Sequence, residues 1–348
     1  MSGLADVAVV VVSWNTRELT ARALASIPAE VGEVVVVDNA SSDGSAELVR
    51  ERFARARLVS NPSNRLFAAA VNQGLAATSA PYVLLLGSDA ELLDDALARL
   101  VEFLATHPGH AAAAPRLIDA RGATQRACME FPRATTPLWF GTPFERWFPR
   151  SRELERYFAR GFDHESDADV AQPPASALLL RRAALLRANS SPADVAAPEA
   201  ESPGWPMDER LALYFNDVDL SLRLARAGWR TRYVASARVR HAVGASTAIL
   251  PDRLERWHLD RLRFQVKHFG PLAAPWVKLC TAFAWIDFVV RGAFGRLLGS
   301  GTEAREPLAA TTRAFLRFLV VPGLPPEGTS GRPGTASSGA FVPPPGGG

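Results

Sequence analysis

Residues 34–45 read VVVVDNASSDGS. Four successive β-branched apolar residues favour a strand, and the lack of polar alternation means that both faces of that strand are covered. The run ends at Asp38. Asn39, Ala40, Ser41, Ser42, Asp43 and Gly44 follow as a cluster of turn formers. SAELVRERFA (45–54) then carries apolar residues at helical spacing.

The same alternation extends to both sides. VAVVVVSW (7–14), ARLVSN (56–61) and YVLLLGSD (82–89) read as strands, while LTARALASI (19–27), FAAAVNQGLAAT (67–78) and LLDDALARLVEFLATH (92–107) read as helices. Apolar strands between amphipathic helices imply an α/β fold: a doubly wound, mostly parallel, Rossmann-like sheet covered on both faces. Ligands of such sheets bind at the carboxyl ends of the strands. No G-x-G-x-x-G follows the first strand and no P-loop is present, so a dinucleotide enzyme or P-loop hydrolase is not expected.

Beyond residue 107 the pattern loosens. Residues 120–172 are irregular and rich in aromatics and arginine, which suits a lid or acceptor-binding insert. ASALLLRRAALLRA (175–188) returns to strand and helix, and 189–206 reads as a loop. ALYFNDVDLSLRLARAGWRTRY (212–233) contains a helix with Asn216 as its N-cap, two early aspartates and a stop at Gly228. TRYVAS (231–236) and ARVRHAV (237–243) read as two strands. Residues 252–298 are helical with mixed character, either packed on the domain or lying at a membrane interface. The Pro/Gly/Ser tail from Pro322 is expected to be disordered.

Composition narrows the function classes. The 348 residues carry a net charge of only +3 and no dense Lys/Arg run, so nucleic acid is not an expected partner. The two cysteines, Cys128 and Cys280, lack metal-ligand spacing and imply no disulfide framework, which fits a cytoplasmic location. MSGLADVAVV has no basic n-region, so a signal peptide is not expected. No long apolar run is free of charge, so no spanning helix is expected either.

Four carboxylates and one histidine stand where chemistry is plausible, each beside a plainer reading. Asp38 ends the second strand and suits a hydrogen bond to a base or ribose, or an Asx turn. Asp89 ends the fourth and suits a divalent ion against a diphosphate, or a helix cap. His241 follows a strand and suits a metal, or a structural bond. Asp217 and Asp219 open the late helix, where carboxylates also favour the helix dipole, and Asp219 is spaced to pair with Arg223.

Taken together, VVVVSWN (9–15), VVVVDNASSDGS (34–45), NRLFAAAVNQG (64–74), YVLLLGSDAEL (82–92) and the block from Met207 to Ser246 resemble the family 2 glycosyltransferases of the GT-A fold, in the rhamnosyltransferase-like group. The likeness covers roughly residues 7–246. It implies a catalytic domain over 1–250, a helical extension over 251–321 and a tail over 322–348. It implies Asp38 at the nucleotide base, with Ser13, Asn15, Asn39 and Asn72 also in the donor site. It implies Asp89 and His241 at a divalent metal (Mg or Mn) and Asp217 as the catalytic base, while Asp219 is a helix-start or acceptor-side residue. The implied activity is inverting transfer of a sugar, rhamnose being one candidate, from a nucleotide-diphosphate donor to a glycan or lipid-linked acceptor. Peripheral contact with the inner membrane face accompanies that reading.

The chain departs from the group at four places. Gly87-Ser88-Asp89 stands where the group has Asn-Pro-Asp, Asn216 where it has Glu, Leu66 where it has Gly, and Trp205-Pro206-Met207 where it has Gly-Gly-Phe. These departures leave open a degenerate, non-catalytic sugar-nucleotide-binding or scaffold protein. A nucleotidyltransferase would favour a glycine- and basic-rich first loop, which SWNTREL is not.

Overall fold

The structure is a computed structural model that describes residues 3–187, 206–242, 250, 252–297 and 308–321. The loop read up to residue 205, the end of the last strand read to 243 and the tail from 322 lie outside the described residues.

The first half runs β1 (Val7–Ser13), α1 (Arg17–Ala25), β2 (Glu33–Asp38), α2 (Ser45–Arg52), β3 (Arg57–Ser60), α3 (Leu66–Ala76) and β4 (Tyr82–Gly87). The short β5 (Ala90–Leu92), α4 (Ala96–Thr106) and β6 (His110–Ile118) follow. Strands β3, β2, β1 and β4 lie side by side and parallel. The pleat sends alternate valines of β1 to opposite faces. Val7, Val9 and Val11 pack with α1, α2 and α4, whereas Ala8 and Val10 face α3. Helix α3 lies so close to β1 that a Cβ on Gly74 would stand 2.2 Å from the Val10 methyl carbon. The register aligns Ser13 with Asp38 and Val12 with Gly87, which puts the ends of three strands at one edge.

The second half adds α5 (Thr136–Trp139), α6 (Pro143–Trp147), α7 (Arg152–Tyr157), β7 (Ala168–Asp169), β8 (Ala177–Arg181), α8 (Arg182–Arg187), α9 (Asn216–Arg226) and β9 (Arg230–His241). The described sheet order is β3-β2-β1-β4-β8-β6-β9-β5, with β7 on β9. Strand β8 runs antiparallel between β4 and β6, and β6 and β9 are parallel. The α/β sheet is therefore the expected type, with antiparallel strands added beyond β4.

Two strand readings change. The central strand β6 passes unnoticed in the sequence because Ala111–Ala114 have helical rather than strand propensity. Contacts with β8 and β9 decide it. The two late strands are one, β9, whose pairing with β6 shifts register between Pro115 and Arg116.

Three helices complete the described chain: α10 (Arg253–Phe269), α11 (Ala273–Leu297) and α12 (Leu308–Val320). Leu262, Val277 and Phe318 form their shared core. Within α11, Ala273–Gly292 is long and apolar enough to cross a membrane by length and composition, with a mean hydropathy of 1.4, so charge alone did not exclude it. In this structure the segment is bound to the rest of the fold. Trp276 donates to the Ala134 carbonyl, Lys278 to those of Leu319 and Val321, and Asp287 pairs with Arg146.

Candidate active site

A cavity of about 340 Å³ opens at the carboxyl edge of β1, β2 and β4. Val12, Asn39, Leu66, Gly87, Asp89, Asn216, Asp217 and His241 are on its wall. A second, of about 240 Å³, lies between the 120–172 insert, α9 and α10. The two share Pro174, Tyr214 and Asp217.

Asp89 sits in the turn between β4 and β5. The antiparallel pairing of Ala90 with His241 brings the histidine beside it, with Nε2 3.6 Å from Oδ1. Gln125 fixes the ring: its Nε2 donates to the His241 carbonyl, and its Oε1 lies 3.0 Å from Nδ1. Nδ1 thus carries the hydrogen, and the Nε2 lone pair faces the carboxylate. Burial lowers the imidazole pKa, against the pull of Asp89, so the neutral ring is favoured. Gly87 also has a local reason, since a Cβ there would come within 2.8 Å of Asp89 Oδ1. Ser88 is buried and accepts from the Thr16 hydroxyl. Among the described residues no group of three or more His, Cys, Asp or Glu could hold a metal ion.

Asp217 stands in the first turn of α9. Its oxygens accept from the N–H groups of Val218 (2.8 Å) and Ala175 (3.3 Å), and no cation pairs with it among the described residues. Burial pushes its carboxyl above the usual carboxylate range. Asn216 is not the cap. Phe215 takes that place with φ 59°, and the Asn216 amide donates to the Leu211 carbonyl.

Asp219 is held on the other face of α9. It is fully buried, bonded to Arg223 (2.8 Å), Lys267 (2.7 Å) and His268 (2.8 Å). The Arg223 pairing is the expected one; the Lys267 and His268 contacts come from α10 and make Asp219 an anchor between helices. Nearby, Asp260 of α10 accepts the N–H groups of Leu213 and Tyr214 and so holds the loop before Asp217. Sequence reasoning missed Asp260, Lys267 and His268, because only their apposition to α9 distinguishes them from any charged helix.

The donor-side residues divide. Asp38 is 3% exposed. Its Oδ2 accepts from Ser41 N–H in a turn, while its Oδ1 is buried without a partner. Asn39 is on the cavity wall and donates to the Leu66 carbonyl. Asn15 joins two loops, accepting from Ser42 N–H. Ser13 is buried among Thr16 and Thr20 hydroxyls, off the cavity wall. Asn72 is likewise off the wall: its amide is spent on both backbone groups of Met207. Ser13 and Asn72 thus make their hydrogen bonds within the fold.

Residues 8–170 match the family model described as Glycosyl transferase family 2. The chain is 25% identical over 263 residues to the N-acetylglucosaminyl-diphospho-decaprenol L-rhamnosyltransferase of Mycobacterium tuberculosis, an alignment covering 70% of this chain and 77% of that one. A stretch of 101 residues is 36% identical to the succinoglycan biosynthesis protein ExoO of Rhizobium meliloti, covering 28% of this chain and 29% of that one. A mannosyltransferase from Pyrobaculum calidifontis, solved in complex with GDP-Man and Mn2+, aligns with a TM-score of 0.44 at 20% identity, over 90% of this chain and 86% of that one. The two likenesses agree: over residues 8–170 the chain is similar to glycosyl transferase family 2, and over a longer stretch it is similar to a rhamnosyltransferase.

Proposed function

We propose that this glycosyltransferase is an inverting enzyme that takes a nucleotide-diphosphate sugar in the larger cavity and a glycan or lipid-linked glycan in the smaller one. The observation that carries this reading is the position of Asp217, a carboxylate of raised proton affinity, without a cation partner among the described residues, on the wall of both cavities. A base of this kind takes the proton of the acceptor hydroxyl as its oxygen attacks the anomeric carbon. The bond from that carbon to the diphosphate oxygen breaks on the opposite face, which inverts the configuration. The Asp38 Oδ1 atom, buried and unpartnered, suits the ring N–H of a base.

The facing Asp89 carboxylate and His241 Nε2 fit a divalent cation. Two lone-pair donors face each other at 3.6 Å, and Gln125 orients the imidazole as an outer partner does at metal sites. These two side chains would hold Mg2+ or Mn2+, hard cations that accept oxygen and imidazole ligands. Such an ion, when bound, neutralises charge on the departing diphosphate.

A cytoplasmic enzyme acting on a lipid-linked acceptor must reach the headgroup plane. Trp147 and Phe148 are exposed beside Arg150 and Arg152, and Leu279, Ile286 and Val290 are exposed along α11. Aromatic and basic residues together suit an anionic interface. Co-sedimentation with anionic liposomes at low and high salt tests that part.

The central test is turnover of a nucleotide-sugar panel, dTDP-rhamnose included, with Mg2+ or Mn2+. The anomeric configuration of the product is read by NMR. Retained configuration, or no turnover of any donor with any acceptor, defeats the proposal.

A further inference from the structure

The smaller cavity is built largely from the parts of the chain least legible in the sequence. Phe140 and Tyr157 come from the insert, Gln172 from the segment before β8, Tyr214 and Asp217 from the head of α9, and Trp257 from α10. Its aromatic walls are mutually braced. Phe140 and Trp257 meet edge to face at 5.7 Å, and Phe140 lies 5.3 Å from Tyr157. The Arg261 guanidinium sits 4.7 Å over the Trp257 ring and donates to Thr281 Oγ1 and the Phe140 carbonyl, which ties the indole to the insert. Arg261 is only 3% exposed, so this bracing is internal to the fold.

Two polar features interrupt the aromatic wall. One is Asp217. The other is Gln172, which is 5% exposed and whose Nε2 is spent on the Glu130 carbonyl. The Tyr157 hydroxyl interacts with the same side chain, and Oε1 is left without a hydrogen-bond partner. A buried amide oxygen without a donor is costly unless something supplies one. The site thus offers aromatic faces, one waiting acceptor atom and one basic carboxylate. A pyranose ring presents the complement: an apolar face of C–H groups and a rim of hydroxyl donors.

We infer that this cavity is the acceptor-sugar subsite, with the Trp257 indole as the surface on which one pyranose ring stacks and Gln172 Oε1 as the atom that takes one of its hydroxyl hydrogens. The inference rests on the glycosyltransfer reading above and adds to it the class of the acceptor terminus and the residues that select it. At about 240 Å³ the cavity is smaller than the roughly 300–1,000 Å³ of a typical ligand pocket, so one ring enters and the remainder of the acceptor stays outside. Gln172 is then a specificity residue, because its oxygen rewards a hydroxyl in one orientation and not its epimer.

The test uses the full chain and a panel of octyl pyranosides (gluco, galacto, N-acetylglucosaminyl and rhamno). Binding is read by saturation-transfer NMR, and transfer is compared with hydrolysis of the donor by water. Trp257→Ala is expected to weaken pyranoside binding and lower the ratio of transfer to hydrolysis by about tenfold or more, as expected for losing a stacked aromatic contact. Trp257→Phe should restore most of both. Gln172→Leu should change the order of preference among epimers more than the preference for sugar itself. If the wild-type chain binds none of the pyranosides, or if Trp257→Ala melts normally and leaves binding and the transfer ratio intact, the inference is overturned. Binding of a pyranoside that Trp257→Ala abolishes, with no donor turned over, leaves the subsite standing and breaks the catalytic reading instead.

Discussion

The two faces of α9 carry aspartates two residues apart in opposite environments. On one face Asp217 looks into both cavities, held among the described residues by backbone N–H groups, and burial raises its proton affinity. On the other, burial alone would raise Asp219 as well, but the His268 hydrogen bond and the charges of Arg223 and Lys267 push it down to about 2. One helix thus presents one carboxylate to the cavities and satisfies the other with side chains. The difference lies in what packs against each face, not in the helix.

The largest effect is expected on the cavity face. Asp217→Asn keeps the shape and one backbone bond but removes the base, and should lower transfer by about 10² to 10⁴-fold. Its effect on stability has the other sign. A carboxyl whose folded pKa lies above the unfolded value is stabilising only while protonated, and that contribution is lost as pH rises through the folded pKa. Above the unfolded value the raised pKa works against folding, so the Asn variant should melt no lower than wild type at neutral pH. Transfer within a few-fold of wild type would break the contrast between the two aspartates.

The anchored face should behave in the reverse way. Asp219→Ala removes the buried carboxylate shared by Lys267, His268 and Arg223 and should cost about 3–5 kcal/mol of folding stability, measured by denaturant unfolding. The lowered pKa also sets an acid limit. Stability from Asp219 is complete above the unfolded value of 3.8 and disappears as pH falls through about 2. The wild-type chain should lose stability across that window, and Asp219→Asn should lack this limb. A flat acid profile in the wild type would show that the network adds little.

Smaller effects sharpen the donor side of the comparison. Asp38→Ala should weaken nucleotide-sugar binding by about 1–3 kcal/mol by calorimetry, the loss of a buried hydrogen bond to a charged group. Unchanged affinity would reduce Asp38 to the turn it makes with Ser41. Leu66 has φ 63°, a left-handed conformation that disfavours a branched side chain. Leu66→Gly should therefore raise stability by up to about 1 kcal/mol after the entropic cost of glycine. A lower melting temperature would mean that the Leu66 side chain stabilises the cavity wall more than its backbone strains it.

Much of the α/β sheet was legible because it rests on short-range patterns. Runs such as Val34–Val37 and Val83–Leu86 need two covered faces wherever they occur; Asp38 follows the first directly, and Asp89 follows the second after Gly87 and Ser88. The ends of β2 and β4, and the helix that opens at Asp217, could thus be placed without coordinates. The readings that failed were those in which local preference opposed the tertiary setting. Ala111–Ala114 prefer a helix and form a strand because β8 and β9 lie on either side. Asn216 is a favourable cap, yet Phe215 occupies that position and the Asn216 amide turns back to Leu211.

Apolar periodicity and the carboxylates at strand ends were properties of the chain itself, since each depends on neighbours a few residues away. The pairing of His241 with Asp89, the satisfaction of Asp219 by α10 and the enclosure of Trp257, Tyr157 and Gln172 around Asp217 were decided by the tertiary structure. Each joins segments far apart in the chain. Such contacts depend on sheet register and helix packing summed over the whole core, and no local pattern records them.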